Sequence, residues 1–249
     1  MRTHIFGVLI TWSMVGVLPP IAAGLQPGSP ADRAFRFFAD LHIISAEAAL
    51  ESLRPIPISP EEKRRELSSL PRVGQLQPTP DEAAKLGSIQ RVLIYHKRQD
   101  VFEAKVIELP QAGIVLHARS ILLISRPALR ELSATELQAA VAHEVGHEYF
   151  WADFEHLREG DATARQELEL RCDAIAVLTL LDLGLDPGEL VSAVRTVTRF
   201  NERLGATLAE GDYPSEATRA QFIRRVADAH RRTGSTNKTE RASKHVPAR

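Results

Sequence analysis

Five consecutive residues carry the clearest chemical signal of the sequence: His143-Glu144-Val145-Gly146-His147, an HExxH motif. On a helix, residues four apart lie on one face, so His143 and His147 can each direct a ring nitrogen at the same metal ion. Glu144 lies about 100° around the helix, where its carboxylate can reach a water molecule without binding the metal. The motif predicts a metal centre with an adjacent general base, provided that the segment is helical.

The flanking sequence indicates such a helix. Ser133 and Glu136 form a capping box that predicts a helix start just upstream of the motif. Gly146 costs roughly 1 kcal/mol inside a helix, which we interpret as a sign that another segment packs closely against it. An apolar stripe at four-residue spacing runs along this helix: Leu137, Val141, Val145 and Tyr149.

A third protein ligand is needed, because a catalytic zinc usually has three and keeps one position open for water. Asp153 lies six residues after His147, at the place of the third ligand in the extended metzincin pattern. That pattern also requires a glycine where this chain has Phe150, and we therefore discount Asp153. Glu169 is the better candidate.

Glu169 belongs to a second predicted helix, which begins near Asp161 and ends at Gly184. Asp173 lies one turn later on the same face. Glu169 can bind a metal, and Asp173 can accept a hydrogen bond from the far nitrogen of a ligating histidine. Glu167 lies on a different face, and we interpret it as a surface residue.

Together, these motifs resemble the gluzincin zinc metallopeptidases of the HtpX and CAAX-prenyl-endopeptidase type. The likeness covers roughly residues 90–229 and includes three segments that lead into the HExxH motif: residues 121–125, 128–129 and 132–137. It implies a zincin-like fold, Zn²⁺ as cofactor, Glu144 as the catalytic base and Asp173 as the carboxylate behind the ligands. The zinc ligands that it implies are His143, His147 and Glu169.

A later segment, residues 213–219, is similar to the His-Pro segment of this family, which ends in an arginine; this is Arg219 here, and we expect it to lie behind the ligands together with Asp173. Tyr213 stands where the family commonly has histidine. Its phenol can donate a hydrogen bond to an oxyanion but cannot carry a positive charge. Tyr213 is therefore a candidate transition-state donor, with packing at a turn as the alternative. Cys172, where alanine is usual, we interpret as a small buried filler.

The order of predicted elements indicates an α+β fold, because strands come first and helices follow from about Pro127 to Arg232. The sheet is small and precedes the helical part that carries both motifs. Its predicted strands are Arg91–Tyr95, Val101–Leu109, Gly113–His117 and Ser120–Ser125.

The two ends of the chain are predicted to lie outside the metallopeptidase domain, residues 86–232. Residues 1–23 have the tripartite pattern of a signal peptide, which predicts a secreted or periplasmic protein; an uncleaved membrane anchor is the alternative. Residues 24–85 hold a linker over 25–34, helices at Phe35–Leu53 and Glu61–Leu70, and proline-rich connectors. They could form a propeptide, a lid or a packed extension. Residues 233–249 are predicted to be a disordered basic tail.

Composition excludes several partners. The net charge of −1 argues against nucleic acid, because phosphate contacts need a strongly basic face. A single cysteine excludes an intrachain disulfide framework. The mature chain holds no second long apolar run, so we expect no integral membrane span, although peripheral association with the cell envelope stays open.

The predicted function is zinc-dependent hydrolysis of peptide bonds in extracytoplasmic polypeptides. We expect an unfolded or extended substrate to add to the sheet along an edge strand at residues 120–125. One alternative is a zinc-binding chaperone or envelope-assembly factor with weak or latent proteolysis. Another is a metallohydrolase that acts on a non-protein amide, which the same ligands could serve.

Overall fold

The computed structural model describes residues 28–40, 46–71, 74–157, 161–206 and 213–243. The predicted signal peptide lies outside these ranges. The helices and strands, in chain order, are α1 (Pro30–Asp40), α2 (Ala46–Leu53), α3 (Pro60–Ser69), β1 (Gln75–Leu76), α4 (Pro80–Ser88), α5 (Gln90–Tyr95), β2 (Glu103–Ile107), β3 (Ile114–His117), β4 (Ile121–Ser125), α6 (Arg126–Glu131), α7 (Ala134–Tyr149), α8 (Trp151–Glu155), α9 (Ala162–Asp182), α10 (Gly188–Arg203) and α11 (Glu216–Ser243).

The architecture is α+β, as predicted. Helix α7 packs against strand β3 and against helices α9 and α10, while α1 and α11 pack on α9. Helix α9 is therefore the centre of the helical part, and nearly all of its residues from Leu168 to Leu180 are buried. Among the helices of the described ranges, none is both long and apolar enough to span a membrane.

The sheet has the strand order β1-β2-β4-β3, with β2 parallel to β4 and the other two pairs antiparallel. Strand β4 has a neighbour on both sides, so the prediction of an edge strand at 120–125 is wrong. Its sequence Ile121-Leu122-Leu123-Ile124 is apolar throughout, which is typical of an interior strand. The edge strand next to α7 is β3.

Residues 91–95 form helix α5 and not the strand that we predicted. A short apolar run does not by itself distinguish the two structures. Here Ile89, Val92, Leu93 and His96 are the buried residues, and their spacing follows one face of a helix. Strands β2, β3 and β4 lie where the sequence predicted strands, whereas β1 falls in a stretch that we assigned to a connector.

The N-terminal part packs against the body of the protein. Helix α1 begins at Pro30, inside the predicted linker, because the Ser29 hydroxyl accepts a hydrogen bond from the Asp32 amide and caps it. Arg171 of α9 lies 4.3 Å from the ring centroid of Phe37. The predicted helix over 35–53 is divided into α1 and α2, with residues 41–45 outside the described ranges.

At the other end, α11 continues to Ser243. This differs from the predicted disordered tail at 233–249, of which residues 244–249 lie outside the described ranges. The segment holds no proline before Pro247 and therefore no strong helix-breaking residue, which lets the helix extend beyond its apolar part.

Candidate metal centre

Helices α7 and α9 bring together the three residues predicted as ligands. One ligand atom from each of His143, His147 and Glu169 lies within 4.8 Å of the others. His143 Nε2 is 3.3 Å and His147 Nε2 is 3.7 Å from a Glu169 carboxylate oxygen. All three side chains are buried. This His-His-Glu group can bind a metal ion.

Capping residues fix where helices α7 and α9 begin and where α9 ends. The predicted capping box starts α7: the Ser133 hydroxyl accepts from the Glu136 amide, and the Glu136 carboxylate accepts from the Ser133 amide. Helix α9 is capped by Asp161, whose carboxylate accepts from the Ala164 amide. It ends before Gly184, which has a φ of +71° that favours glycine.

Gly146 is the point of closest approach between α7 and α9. A Cβ atom at this position would lie 2.8 Å from the Cα of Cys172. The predicted close packing against Gly146 is therefore confirmed. Any larger residue would push α9, and with it Glu169, away from the histidines.

Asp173 and Arg219 support the ligands from behind. The Nδ1 atom of His143 lies 2.8 Å from Asp173 Oδ1. Arg219 donates to Asp173 Oδ1 at 2.7 Å and to Glu169 Oε2 at 2.8 Å, so one buried guanidinium holds both carboxylates. The structure thus brings both of these predicted residues to the site. The contact to His143 leaves Nε2 as the nitrogen that faces the ligand set.

His147 has a different support. Its Nδ1 lies 3.6 Å from the sulfur of Cys172, a distance suited to a weak hydrogen bond with a thiol. Cys172 was predicted to be a filler only, and its contact with His147 was not predicted. The spacing offers a signal for it, since Cys172 directly precedes Asp173 on α9.

The buried charges shift the pKa values of the ligands strongly. Burial disfavours the charged form of His143, but Asp173 and Glu169 outweigh burial and raise its pKa to about 10. Burial lowers the pKa of His147 to about 4. For Glu169, the opposing effect of burial is outweighed by His143, His147 and Arg219, which hold its pKa well below the usual range.

Glu144 is positioned by the edge of the sheet. Its Oε2 accepts a hydrogen bond of 2.9 Å from the backbone amide of Leu116 in β3. Its other oxygen, Oε1, is buried and has no hydrogen-bond partner within the described residues. Burial raises the pKa of Glu144 to about 8, which makes this carboxylate a stronger proton acceptor than an exposed glutamate.

The remaining candidates lie apart from the ligand set. Asp153 is largely exposed on α8, 3.4 Å from Arg171, in agreement with our discounting it. Glu167 was predicted to be a surface residue, but helix α1 covers it and Arg33 pairs with it at 2.6 Å. Tyr213 is partly buried just before Pro214, and its role as a donor stays a prediction.

The apolar surface that packs over the motif was not predicted from the sequence. Helix α10 lies over α7, and its apolar face borders a small cavity beside His143 and Glu144. The amphipathic pattern of α10 was a signal for burial, but only the packing shows which surface it covers. The cavity-lining residues from this helix are Leu190, Ala193, Val194 and Val197.

One orphaned atom tests whether the site suits a cation. His143 Nε2 is buried and makes no hydrogen bond to any described residue, although it faces Glu169. A divalent cation would complete its coordination, and two imidazoles with one carboxylate are a known zinc ligand set. No protein-family model and no curated protein matches the sequence of this chain. The function must therefore be inferred from the site itself.

Proposed function

We propose that the protein is a zinc-dependent endopeptidase of zincin-like fold that hydrolyses peptide bonds of extracytoplasmic polypeptides. One observation carries the proposal: three buried ligand atoms converge within 4.8 Å, and Glu144, on the same helix as the two histidines, has one buried carboxylate oxygen without a hydrogen-bond partner among the described residues. A purely structural zinc site fills four positions with protein ligands and needs no such base. The residue order His-Glu-x-x-His is the one that metallopeptidases use.

Zinc suits this donor set because it accepts nitrogen and oxygen ligands in tetrahedral geometry. His143, His147 and Glu169 would hold the ion, and Glu144 lies next to His143 on the same helix. Bound there, zinc would polarise the scissile carbonyl and acidify a water molecule. Arg219 and Asp173 keep the ligands in place when the charge at the site changes.

Glu144 performs the proton transfers in this proposal. Its carboxylate accepts a proton from the attacking water, whose oxygen forms a bond to the carbonyl carbon. It then delivers that proton to the amide nitrogen as the carbon–nitrogen bond breaks, giving a carboxylic acid and an amine. The Leu116 amide holds the carboxylate in position for both transfers.

An extended substrate would pair with β3, because β3 is the sheet edge beside α7. Main-chain hydrogen bonds to an edge strand give affinity with little sequence demand. This replaces the strand at 120–125 that we predicted for the same role. The signal-like pattern of residues 1–23 supports a secreted or periplasmic location as part of the proposal.

The test is digestion of an unfolded protein by the purified mature chain, with and without a chelator, together with measurement of bound zinc. Glu144→Gln should keep the metal and lower the cleavage rate by about 10²–10⁴-fold. Glu155→Gln is the matched control, since Glu155 is an exposed carboxylate on α8, and it should cleave normally. Equal activity of Glu144→Gln and the native chain would overturn the assignment.

A second candidate is a zinc-binding chaperone or assembly factor of the envelope with latent proteolysis. The observation that favours it is the burial of the site, since His143, Glu144 and Glu169 are each 2% exposed. A polypeptide must displace some of the residues that cover the site before it can reach them. The same digestion assay separates the two candidates. Protection of an unfolded protein from aggregation, without cleavage, would favour the chaperone.

A further inference from the structure

An exposed apolar side chain lies on the connector between α2 and α3, residues 54–59. Ile56 is 85% exposed, more than the other large hydrophobic residues that the described part of the chain exposes, Ile94 at 60% and Leu204 at 51%. Pro55 and Pro57 flank it, and each proline fixes its own φ angle. The connector lies outside residues 90–229, so the gluzincin resemblance does not cover it.

Two arginines of the body fix the backbone of this connector. Arg98 donates to the Pro55 carbonyl at 2.7 Å, and Arg119 donates to the Ile56 carbonyl at 2.6 Å. Arg98 is itself 2% exposed and pairs with Glu148 of α7 at 2.6 Å. The peptide groups on both sides of Ile56 are therefore held in place. A side chain on such a fixed backbone loses little conformational freedom when another surface covers it, which favours binding.

These contacts place Ile56 near the end of the edge strand β3. The Leu116 amide of β3 donates to Glu144, and Arg119 follows Leu116 by only three residues, in the turn between β3 and β4. Glu148 lies four residues after Glu144, which is one helical turn of about 5.4 Å along the same face of α7. The connector is therefore joined, through both arginines, to the elements that position the general base.

The other end of β3 is closed to strand pairing. Because the Gly113 carbonyl accepts from the Ser125 amide of β4, the neighbouring N–H and C=O groups of Ala112 face the free edge. The side chain of Asn201 in α10 already bonds both of these groups. Pairing therefore cannot continue past Ala112, and a longer substrate extends along the opposite end of β3, towards the turn that holds Arg119.

We propose that Ile56 is a docking residue for the substrate, where it contacts an apolar side chain of an extended polypeptide several residues from the scissile bond. The proposal rests on the proposed peptidase function. An extended chain rises about 3.3 Å per residue, so the contacted side chain lies about three or more residues from that bond. A folded protein buries most of its large apolar side chains, so this contact favours an unfolded substrate.

The test uses peptides that carry one cleaved sequence, extended on both sides by a run of serines. One serine at a time is replaced by leucine. Leucine at one of these positions should lower KM about tenfold with kcat unchanged, because each methylene group removed from water contributes about fourfold in affinity. The same KM for the all-serine peptide and for every leucine peptide would overturn the proposal.

A matched pair of variants locates the effect. Ile56→Ser should remove the leucine effect, so that the leucine and all-serine peptides have the same KM. Ile94→Ser is the control, since Ile94 is also exposed but lies on α5, and it should keep the full effect. Arg119→Gln removes the donor to the Ile56 carbonyl and should weaken the effect in part. A full leucine effect in Ile56→Ser would overturn the proposal.

Binding to the Glu144→Gln variant with zinc added separates this proposal from the peptidase function. Fluorescence anisotropy measures the affinity for labelled peptides of the same series, built on a serine core. Tighter binding that requires both leucine and Ile56, without metal-dependent cleavage by the native chain, would refute the peptidase and retain the docking residue. Cleavage that is independent of leucine and of Ile56 would retain the peptidase and refute the docking residue, and absence of both would refute both.

Discussion

Two buried histidine clusters lie along helices α7 and α9, and they differ in one respect. His96 contacts the Tyr149 hydroxyl through Nδ1 and the Thr179 hydroxyl through Nε2, both at 2.9 Å. The Thr179 hydroxyl donates to the Ile175 carbonyl, so it accepts from His96 Nε2–H, and Nδ1 accepts from Tyr149. Every polar atom of the His96 ring is satisfied by a neutral partner.

His143 has a carboxylate behind it and an orphaned nitrogen in front. Its Nδ1 contacts Asp173, whereas its buried Nε2 has no hydrogen bond within the described ranges. Burial leaves His96 neutral, with a pKa of about 3, whereas the neighbouring carboxylates raise the pKa of His143. The two rings differ in that His143 has a carboxylate behind it and a buried nitrogen without a hydrogen bond in front, which is the arrangement expected of a metal ligand.

The largest effect is expected from removing the acidic ligand. Glu169→Ala should weaken zinc binding by more than the roughly 100-fold that loss of an outer partner can cost. It also leaves Arg219 without one of its two carboxylates. Competition with a chromogenic chelator measures the affinity. Glu167→Ala, on another face of α9, is the control and should bind zinc normally; equal affinities of the two variants would refute the ligand assignment.

Removing the charge behind His143 should have the next largest effect. Asp173→Asn keeps the shape of the side chain but loses the anionic partner, and zinc affinity should fall about 10–100-fold. Thr179→Val changes the corresponding partner of His96 and should leave zinc affinity unchanged, because His96 is not one of the three converging ligand residues. A similar loss in both variants would show that the two clusters do not differ as described.

Acid should destabilise the protein through His96. Its folded pKa of about 3 lies below the ordinary value of 6.5, so below pH 6.5 the unfolded chain binds a proton that the folded chain does not. The stability contribution is complete above pH 6.5 and is lost as the pH falls towards 3, by up to about 1.4 kcal/mol per pH unit. Urea unfolding with excess chelator should show a flatter pH dependence for His96→Phe, and parallel curves would contradict this.

The smallest effect on zinc affinity is expected from removing the Cys172 thiol beside His147. A thiol is a weak hydrogen-bond acceptor, so Cys172→Ala should lower zinc affinity less than tenfold, below the effect of Asp173→Asn. The imidazole N–H signal of His147 in the zinc-bound protein should shift in this variant, as seen by nitrogen-15 NMR. An unchanged signal would mean that the sulfur only fills space.

The sequence was sufficient to predict those features of the fold and of the candidate site that depend on neighbouring residues. Ser133, Glu136, Asp161 and Gly184 define the ends of α7 and α9, and the spacing within each helix fixes which residues share a face. The ligand set could be predicted because these faces meet. Even Gly146 indicated the close approach between the helices before their packing was known.

The sequence was insufficient to predict features that depend on contacts between residues far apart in the chain. The apolar pattern of residues 89–96 is compatible with both a strand and a helix, and only the burial of one helical face against the rest of the protein distinguishes the two. Strand β4 became interior because β2 pairs with it in parallel, which no local pattern indicates. The contact between Glu144 and Leu116 joins residues far apart in sequence, and it depends on the register of the edge strand.

The side chain of Asn201 joins helix α10 to Ala112, which lies just before strand β3. The Asn201 amide accepts from the Ala112 N–H and donates to the Ala112 carbonyl, and β3, which follows, provides the Leu116 amide that donates to Glu144. Separating α10 from β3 would leave the buried N–H and carbonyl groups of Ala112 without hydrogen bonds, at a cost of about 1–3 kcal/mol. Helix α10 and strand β3 should therefore move together, and because Ser192 and Thr196 of α10 also donate to Glu136 of α7, any such movement away from α7 has to break those hydrogen bonds too.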